Sequence, residues 1–283
     1  MWARGGNLLT LLALHIPDGF IGVPMAALGW LTALVAMAVL SRSFDSSEDR
    51  LIPFAGTLAA FVFAAQTLQF PVPGGTSGHL VGAGLVCILL GPGMGATVLT
   101  AVLLLQALVF GIGGLLALGW NFINMALLMG VVSCAIFQRL KSGGVRTGTS
   151  AFFAAWFAAM YGALATSMEL AAAGASPLQI SLPALLVTQS MLGVGEGLIT
   201  AGAVTFLERV RPELLCREGK DSTWMGRALL VALGLVCFLP PSVYGLVGLT
   251  GGASGYSLPL VFLSLLGLQG LCRMVLASWA KRS

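Results

Sequence analysis

Two histidines, His15 and His79, are the side chains best suited to metal chemistry in this sequence of 283 residues, which contains no other histidine. His15 begins the stretch "HIPDG" and His79 ends the stretch "GGTSGH", so each lies in turn chemistry that fixes a backbone. Imidazole nitrogen is a favoured ligand for nickel, cobalt, copper and zinc ions. Either ring alone is typical of a surface residue, whereas the pair indicates part of a metal site.

Two imidazoles are too few for a tight metal site, so further ligands must come from elsewhere. A free chain-terminal amine followed by a histidine offers the amine, the deprotonated amide and the imidazole in one plane, and that geometry favours Ni(II). Asp18 is the one acid close to His15 in the sequence. Its carboxylate can accept a hydrogen bond from the His15 ring or cap the turn that follows it, and we favour the cap.

Membrane helices must position these residues. The chain is 58% apolar and 8% charged, where soluble domains are about 25% charged. A spanning helix needs about 20 apolar residues, and in lipid each segment must satisfy its own backbone polar groups. The sequence therefore predicts an all-α fold, a polytopic transmembrane helical bundle with about seven core helices plus a C-terminal two-helix hairpin. The predicted helices cover residues 22–40, 51–69, 79–91, 94–111, 117–139, 150–174, 181–207, 224–247 and 256–279.

The third predicted helix, residues 79–91, is too short for a full span. The sequence "GPG" at residues 91–93 ends it, because proline lacks a donor and glycine frees the turn. We expect a re-entrant or tilted half-helix there.

The basic residues report how the bundle is oriented. Lys and Arg concentrate in alternate connections, and the connections at residues 70–78, 112–116, 175–180 and 248–255 contain none. By the positive-inside rule, both histidines lie on the extracytoplasmic face and the C-terminus lies in the cytoplasm. The basic charge balance therefore does not indicate a nucleic-acid partner.

We divide the chain into four parts. Residues 1–13 are a doubtful N-terminal extension, and residues 14–208 form a metal-binding transmembrane core. Residues 209–223 form a cytoplasmic loop, and residues 224–283 form a two-helix transmembrane tail.

Long stretches of this sequence resemble a known family. They are "HIPDGF", "FAAQTLQFPVPGGTSGHLVGAGLVCILLGPGMGA", "LLLQALVFGIGGLLALGWNFINMAL" and "GVGEGLIT". They are similar to the substrate-specific component of energy-coupling-factor nickel/cobalt transporters, the CbiM/NikM family. The resemblance implies that His15, His79 and the amine of residue 14 hold the metal ion.

The start of the chain departs from that family, whose proteins begin Met-His-Ile-Pro-Asp-Gly. Here Leu14 stands in place of the initiator, and 13 residues precede it. An internal peptide nitrogen is a far weaker ligand than a free amine. Either the start is mis-assigned, with a leucine codon read as Met, or the segment is removed after translation. We prefer the first explanation, because the cleavage signal is poor.

Other polar residues are candidates for supporting roles. Asn121 and Asn124 resemble the family's Asn-x-x-Asn, and each can either orient a ligating imidazole or form interhelical hydrogen bonds. Ser77 lies close enough in sequence to hold the His79 loop. Glu196 is expected to face the bundle and hold helices together or gate access, and Glu169, near the outer end of its helix, to be solvated.

The resemblance implies the substrate-capture component of an ATP-driven importer for nickel or cobalt, the latter for cobalamin biosynthesis, in the cell membrane of a bacterium or archaeon. No P-loop is present, so the chain is not expected to be an enzyme. The implied partners are a transmembrane coupling subunit, a pair of cytoplasmic ATPases and a small accessory membrane subunit, to which the tail corresponds. An intramembrane metalloenzyme and a proton-coupled secondary carrier remain alternatives.

Overall fold

The computed structural model describes residues 14–41, 51–68, 70–72 and 76–212, without the side chains of residues 39–41, 70–72, 76 and 77. These residues form seven helices and a two-stranded hairpin. The bounds are α1 Val23–Ser41, α2 Ile52–Thr67, β1 Phe70–Val72, β2 Thr76–Gly78, α3 Ala83–Leu90, α4 Pro92–Phe110, α5 Leu118–Ser142, α6 Thr147–Ala172 and α7 Leu178–Val210. The predicted all-α bundle is confirmed, and the predicted helix ends agree to within a few residues.

Four of these helices are long and apolar enough to cross a membrane, namely α4, α5, α6 and α7. The described parts of α1 and α2 are shorter apolar helices. The two predicted tail helices, and the proposed extension at residues 1–13, lie outside the described residues.

Helix α3 is the central element of the bundle. Its eight residues are all buried, and they pack against α4, α5, α6 and α7. Eight residues rise only about 12 Å, so α3 cannot cross the hydrocarbon core by itself. Gly91 ends α3 with a positive φ of 81°, and Pro92 begins α4. The prediction that this helix is too short for a full span is therefore confirmed.

Helix α5 contains a π-helical segment, Phe122–Leu128, in which every residue is buried. The amide of Met129 donates to the carbonyl of Asn124, five residues earlier, and this wider turn changes the direction of the side chains that precede it. Such segments frequently occur at functional sites. Asn121 and Asn124 stand at its start, so the two asparagines need not share one face of the helix.

The hairpin of β1 and β2 was not predicted. The strands are antiparallel, with Phe70 opposite Gly78, Pro71 opposite Ser77 and Val72 opposite Thr76. The expectation for the Ser77 side chain falls outside the described residues. The hairpin ends immediately before His79, so it delivers that histidine to the start of α3.

The two ends of the bundle differ in charge. At one end, Lys141 on α5 forms an ion pair with Glu208 on α7 at 3.4 Å. Arg139, Arg146 and Arg209 occupy the same end, where α5 and α7 finish and α6 begins. The described connections at the opposite end, residues 79–82, 111–117 and 173–177, contain no Lys or Arg. This separation is what the alternating basic connections predicted.

Close approach of α1 to α5 depends on glycine. A Cβ at Gly119 would lie 2.4 Å from the carbonyl carbon of Gly29 and 2.5 Å from the nitrogen of Trp30. These atoms belong to a helix backbone and cannot rotate away.

We therefore expect Gly119→Ala to lower the free energy of unfolding by at least about 1–3 kcal/mol, the usual cost of overpacking. The control is Gly56→Ala, since Gly56 is a helical glycine with nothing within 4 Å of the added Cβ. It should be neutral or stabilising by up to about 1 kcal/mol. Thermal unfolding in detergent measures both, and equal melting temperatures for the two variants would contradict the close contact.

Candidate metal centre

The two histidine rings lie against each other inside the protein. Their ring centroids are 4.8 Å apart, with an angle of 44° between the planes. His15 is 6% exposed and His79 is 8% exposed, so both rings are buried. The two turns that carry these rings are far apart in the sequence, and the fold brings the rings into contact.

The His79 ring has a defined orientation. Its Nδ1 lies 3.0 Å from the carbonyl oxygen of Leu80, which can only accept, so Nδ1 carries the proton. Nε2 then retains its lone pair, which is the form that binds a metal ion. Burial lowers the pKa of His79, and the hydrogen bond to Leu80 opposes part of that shift.

The His15 ring lacks a hydrogen-bond partner on one side. Among the described residues, nothing pairs with its buried Nε2. Burial, and secondly the neighbouring His79, hold the pKa of His15 well below its usual value. Both rings are therefore neutral near pH 7, and a buried unpaired imidazole nitrogen is suited to an electrophilic ion.

The backbone around His15 is not helical, is buried, and is bonded to the side chain of Asn121. Leu14 and Ile16 are 2% and 1% exposed. Asn121 on α5 accepts from the Ile16 amide at 2.8 Å and donates to the Ile16 carbonyl at 3.1 Å. It also donates to the Gly113 carbonyl at 2.7 Å. Asn121 therefore orients the peptide next to the imidazole rather than the ring itself.

Asp18 has neither of the two roles that the sequence suggested. Its carboxylate accepts from the backbone amides of Leu115, Leu116 and Ala117 at 2.9, 2.8 and 3.2 Å. It therefore caps the segment that leads into α5, not the turn that follows Asp18, and no bond to the His15 ring occurs among the described residues. These three hydrogen bonds tie the His15 turn to the segment that leads into α5.

The segment that follows His79 is held from two helices. Glu196 on α7 accepts from the amides of Val81 and Gly82 at 3.3 and 3.0 Å. Gln66 on α2 donates to the Val81 carbonyl at 2.6 Å. Glu196 thus faces the bundle and joins elements as expected, while the contribution of Gln66 was not predicted.

Asn124 and Glu169 form a separate polar cluster. Asn124 donates to the Glu169 carboxylate at 2.6 Å and to the Thr166 hydroxyl at 3.3 Å. Asn124 therefore makes the interhelical hydrogen bonds that were one of its two expected roles. The expectation that Glu169 is solvated is wrong, because the residue is only 1% exposed.

Side chains alone do not complete a metal site around the two rings. Within the described part of the chain, no three His, Cys, Asp or Glu side chains come together as a metal-binding group. A metal ion held by His15 and His79 would therefore need backbone or terminal nitrogen as well.

Comparison with known sequences identifies the family of this chain. The sequence model of CbiM, described as the cobalt uptake substrate-specific transmembrane region, matches residues 15–214. The chain belongs to the CbiM family. The match begins at His15 itself and covers the part of the chain that holds both histidines.

Relatives of this chain and a solved structure that is similar to it have transport names. A CbiM cobalt transport protein from Geobacter sulfurreducens is 35% identical, over 80% of this chain and 70% of its own length. A fused nickel transport protein, NikMN, from Rhodobacter capsulatus is 31% identical, over 78% of this chain and 71% of its own length. The crystal structure of a truncated transition metal transporter superposes with a TM-score of 0.62 at 30% identity, over 69% of this chain and 98% of that one.

Residues that sequence reasoning missed in this CbiM chain are two glycines of the connection before α5. A Cβ at Gly113, whose φ is +82°, would lie 2.8 Å from Nδ1 of His15. A Cβ at Gly114, whose φ is +60°, would overlap the Asp18 carboxylate. The sequence "GIGG" at residues 111–114 was the only signal of these two glycines before the structure. The fold alone shows which side chains approach them.

We expect Gly113→Ala to push the His15 ring from its place and lower the free energy of unfolding by about 1–3 kcal/mol more than Gly111→Ala. Gly111 also has a positive φ, +66°, but nothing lies within 4 Å of its added Cβ. Both variants therefore have backbone strain, and only Gly113→Ala has the clash. Thermal unfolding in detergent compares them, and equal destabilisation would show that His15 does not depend on Gly113.

Proposed function

We propose that this protein is the substrate-capture component of an energy-coupling-factor importer for divalent nickel or cobalt. It binds one ion at the extracytoplasmic face through His15, His79 and the terminal amine of residue 14. The observation that carries the proposal is the pair of neutral, buried imidazoles with centroids 4.8 Å apart. The names of CbiM and NikMN relatives support nickel and cobalt as substrates.

Three observations support residue 14 as the functional N-terminus. Leu14 is buried and directly precedes His15 in the chain, so an amine at residue 14 would belong to the residue next to that imidazole. The family match starts at residue 15. Among the described residues, no third His, Cys, Asp or Glu side chain joins the two rings, and an amine would supply a further ligand.

The chain is proposed to work with a transmembrane coupling subunit and a pair of cytoplasmic ATPases. It has no P-loop of its own. The basic end of α5, α6 and α7 would face the cytoplasm under the positive-inside rule, which leaves the histidine end outside. Reorientation of the whole protein would then carry the ion inward. The tail at residues 224–283 is proposed as a fused accessory subunit, as the word "fused" in the name of the NikMN relative suggests.

Buried acids favour one second candidate, a proton-coupled carrier. Glu169 and Glu196 are both buried within the helices. However, Glu169 is bonded to Asn124 and Glu196 to the peptide after His79, and no hydrogen bond joins the two acids among the described residues. Transport measurements separate the two candidates.

The first test is ion binding by protein whose first residue is residue 14, released from a cleavable fusion. We expect tight binding of one Ni(II) or Co(II) by calorimetry. His15→Ala and His79→Ala should each lose about 100-fold or more, since even loss of an outer-shell partner costs 10–100-fold. Ser176→Ala is the control, because this buried hydroxyl has no partner among the described residues. Unchanged affinity in both histidine variants would reject the site.

The second test is uptake of radioactive nickel or cobalt by cells that express this chain with or without the coupling subunit and ATPases. We expect sustained uptake only when all subunits are present and the ATPases are active. Uptake by the chain alone that collapses with a protonophore would favour the proton-coupled carrier instead. Comparing nickel uptake with cobalt uptake in the same assay shows which ion the transporter prefers.

A further inference from the structure

A buried polar cluster on α5 and α6 has no role yet in the proposed ion site. It consists of Glu169 and Thr166 on α6 and Asn124 on α5, which are 1%, 0% and 0% exposed. Among the described residues, no Lys, Arg or His forms an ion pair with Glu169. A buried carboxyl without a cation partner is costly unless a bound group compensates it.

Two oxygen atoms of this cluster lack hydrogen-bond donors. Asn124 directs its NH₂ group at Glu169 Oε2 and at the Thr166 hydroxyl. That orientation leaves the Asn124 Oδ1 and the Glu169 Oε1 as acceptors, and both are buried without a partner among the described residues. Leaving a buried polar atom unpaired costs about 1–3 kcal/mol. The pair of atoms is therefore suited to a ligand or chain group that brings two donors.

Contacts of residues 14 and 16 place this part of the chain against α5 and α6. Two residues further along, Ile16 is bonded to Asn121, which is three residues before Asn124 on α5. The Leu14 side chain reaches the position of Gly162 on α6, where an added Cβ would lie 3.6 Å from Leu14 Cδ2 and 2.8 Å from Met129 Sδ.

These contacts show where residue 14 lies along α5 and α6 relative to the cluster. Asn124 lies between Asn121 and Met129 on α5, and Gly162 is one helical turn before Thr166 on α6. Residue 14 therefore lies between the same two helices and at about the same level as the unpaired oxygens.

The chemistry of a terminal amine matches these two acceptors. A primary amine that gives its lone pair to a metal ion keeps two N–H groups. In a buried site these N–H groups need acceptors, because no water replaces them. An internal peptide nitrogen at residue 14 would have one N–H at most and could not satisfy both oxygens.

We propose that Glu169 Oε1 and Asn124 Oδ1 accept the two N–H groups of the residue 14 amine when it binds the ion. Glu169 and Asn124 are then positioning residues for the terminal ligand, and the Glu169 carboxylate also offsets part of the charge of the cation. This inference rests on the proposed ion site and adds to it the residues that hold the amine.

Glu169→Gln tests the inference with almost no change in shape. The glutamine oxygen would face the Asn124 NH₂ group, so its own NH₂ would replace Oε1 and turn an acceptor into a donor. Glu196→Gln is the matched control, since Glu196 is an equally buried acid that binds the peptide after His79 and not residue 14.

The experiment measures Ni(II) affinity for protein that begins at residue 14, before and after reductive dimethylation of the terminal amine. Dimethylation keeps the lone pair for the ion but removes both N–H groups. We expect Glu169→Gln to weaken binding about 10-fold or more in the unmodified protein and less than about 3-fold in the dimethylated protein, a coupling well above the error for independent sites. Any loss caused by Glu196→Gln should be the same in both forms.

Two results would overturn the inference. One is an equal loss for Glu169→Gln in both amine forms, which would make Glu169 a structural residue only. The other is unchanged affinity in unmodified Glu169→Gln protein whose melting temperature matches the parent. Failure of the unmodified parent to bind any ion would instead reject the ion site and, with it, the role of Glu169.

Discussion

The structure depends on one constraint: peptide that is not helical, when buried among apolar helices, must find hydrogen-bond partners on side chains. A regular helix satisfies its own backbone, but a non-helical segment away from water cannot. Both histidines lie on such segments. The buried peptide at residues 14–16 is paired by Asn121, and the peptide at residues 81–82 is paired by Glu196 and Gln66. The buried polar side chains of Asn121, Gln66 and Glu196 are therefore explained by the two turns that they hold.

This arrangement explains how two rings from distant parts of the chain meet with defined orientation. Asp18 joins the first turn to the amides before α5, and Asn121 joins the same turn to α5 itself. Glu196 joins the second turn to α7. Because each turn is fixed by helices of one bundle, the distance between the rings follows from how those helices pack. Sites held by rigid elements keep their geometry better than sites on free loops.

Much of the fold could be predicted from the sequence, because apolar runs, Gly/Pro breaks and alternating basic connections are local signals. The two histidines could also be singled out, since both stand in turn motifs and no other imidazole competes. The partners of those turns could not be predicted. That Asp18 caps residues 115–117, that Gly113 lies against His15, and that Glu169 is buried all depend on which helices pack together. The hairpin at residues 70–78 was missed because its strands are only three residues long.

The central claim is that one transition ion binds both rings at once. X-ray absorption at the nickel edge, on protein that begins at residue 14 and is loaded with one ion, tests this most directly, because the scattering pattern counts imidazole ligands. The account predicts an ion bound only by nitrogen, in a planar arrangement that includes two imidazoles. A spectrum with oxygen ligands in six-fold coordination, or with one imidazole or none, would contradict it.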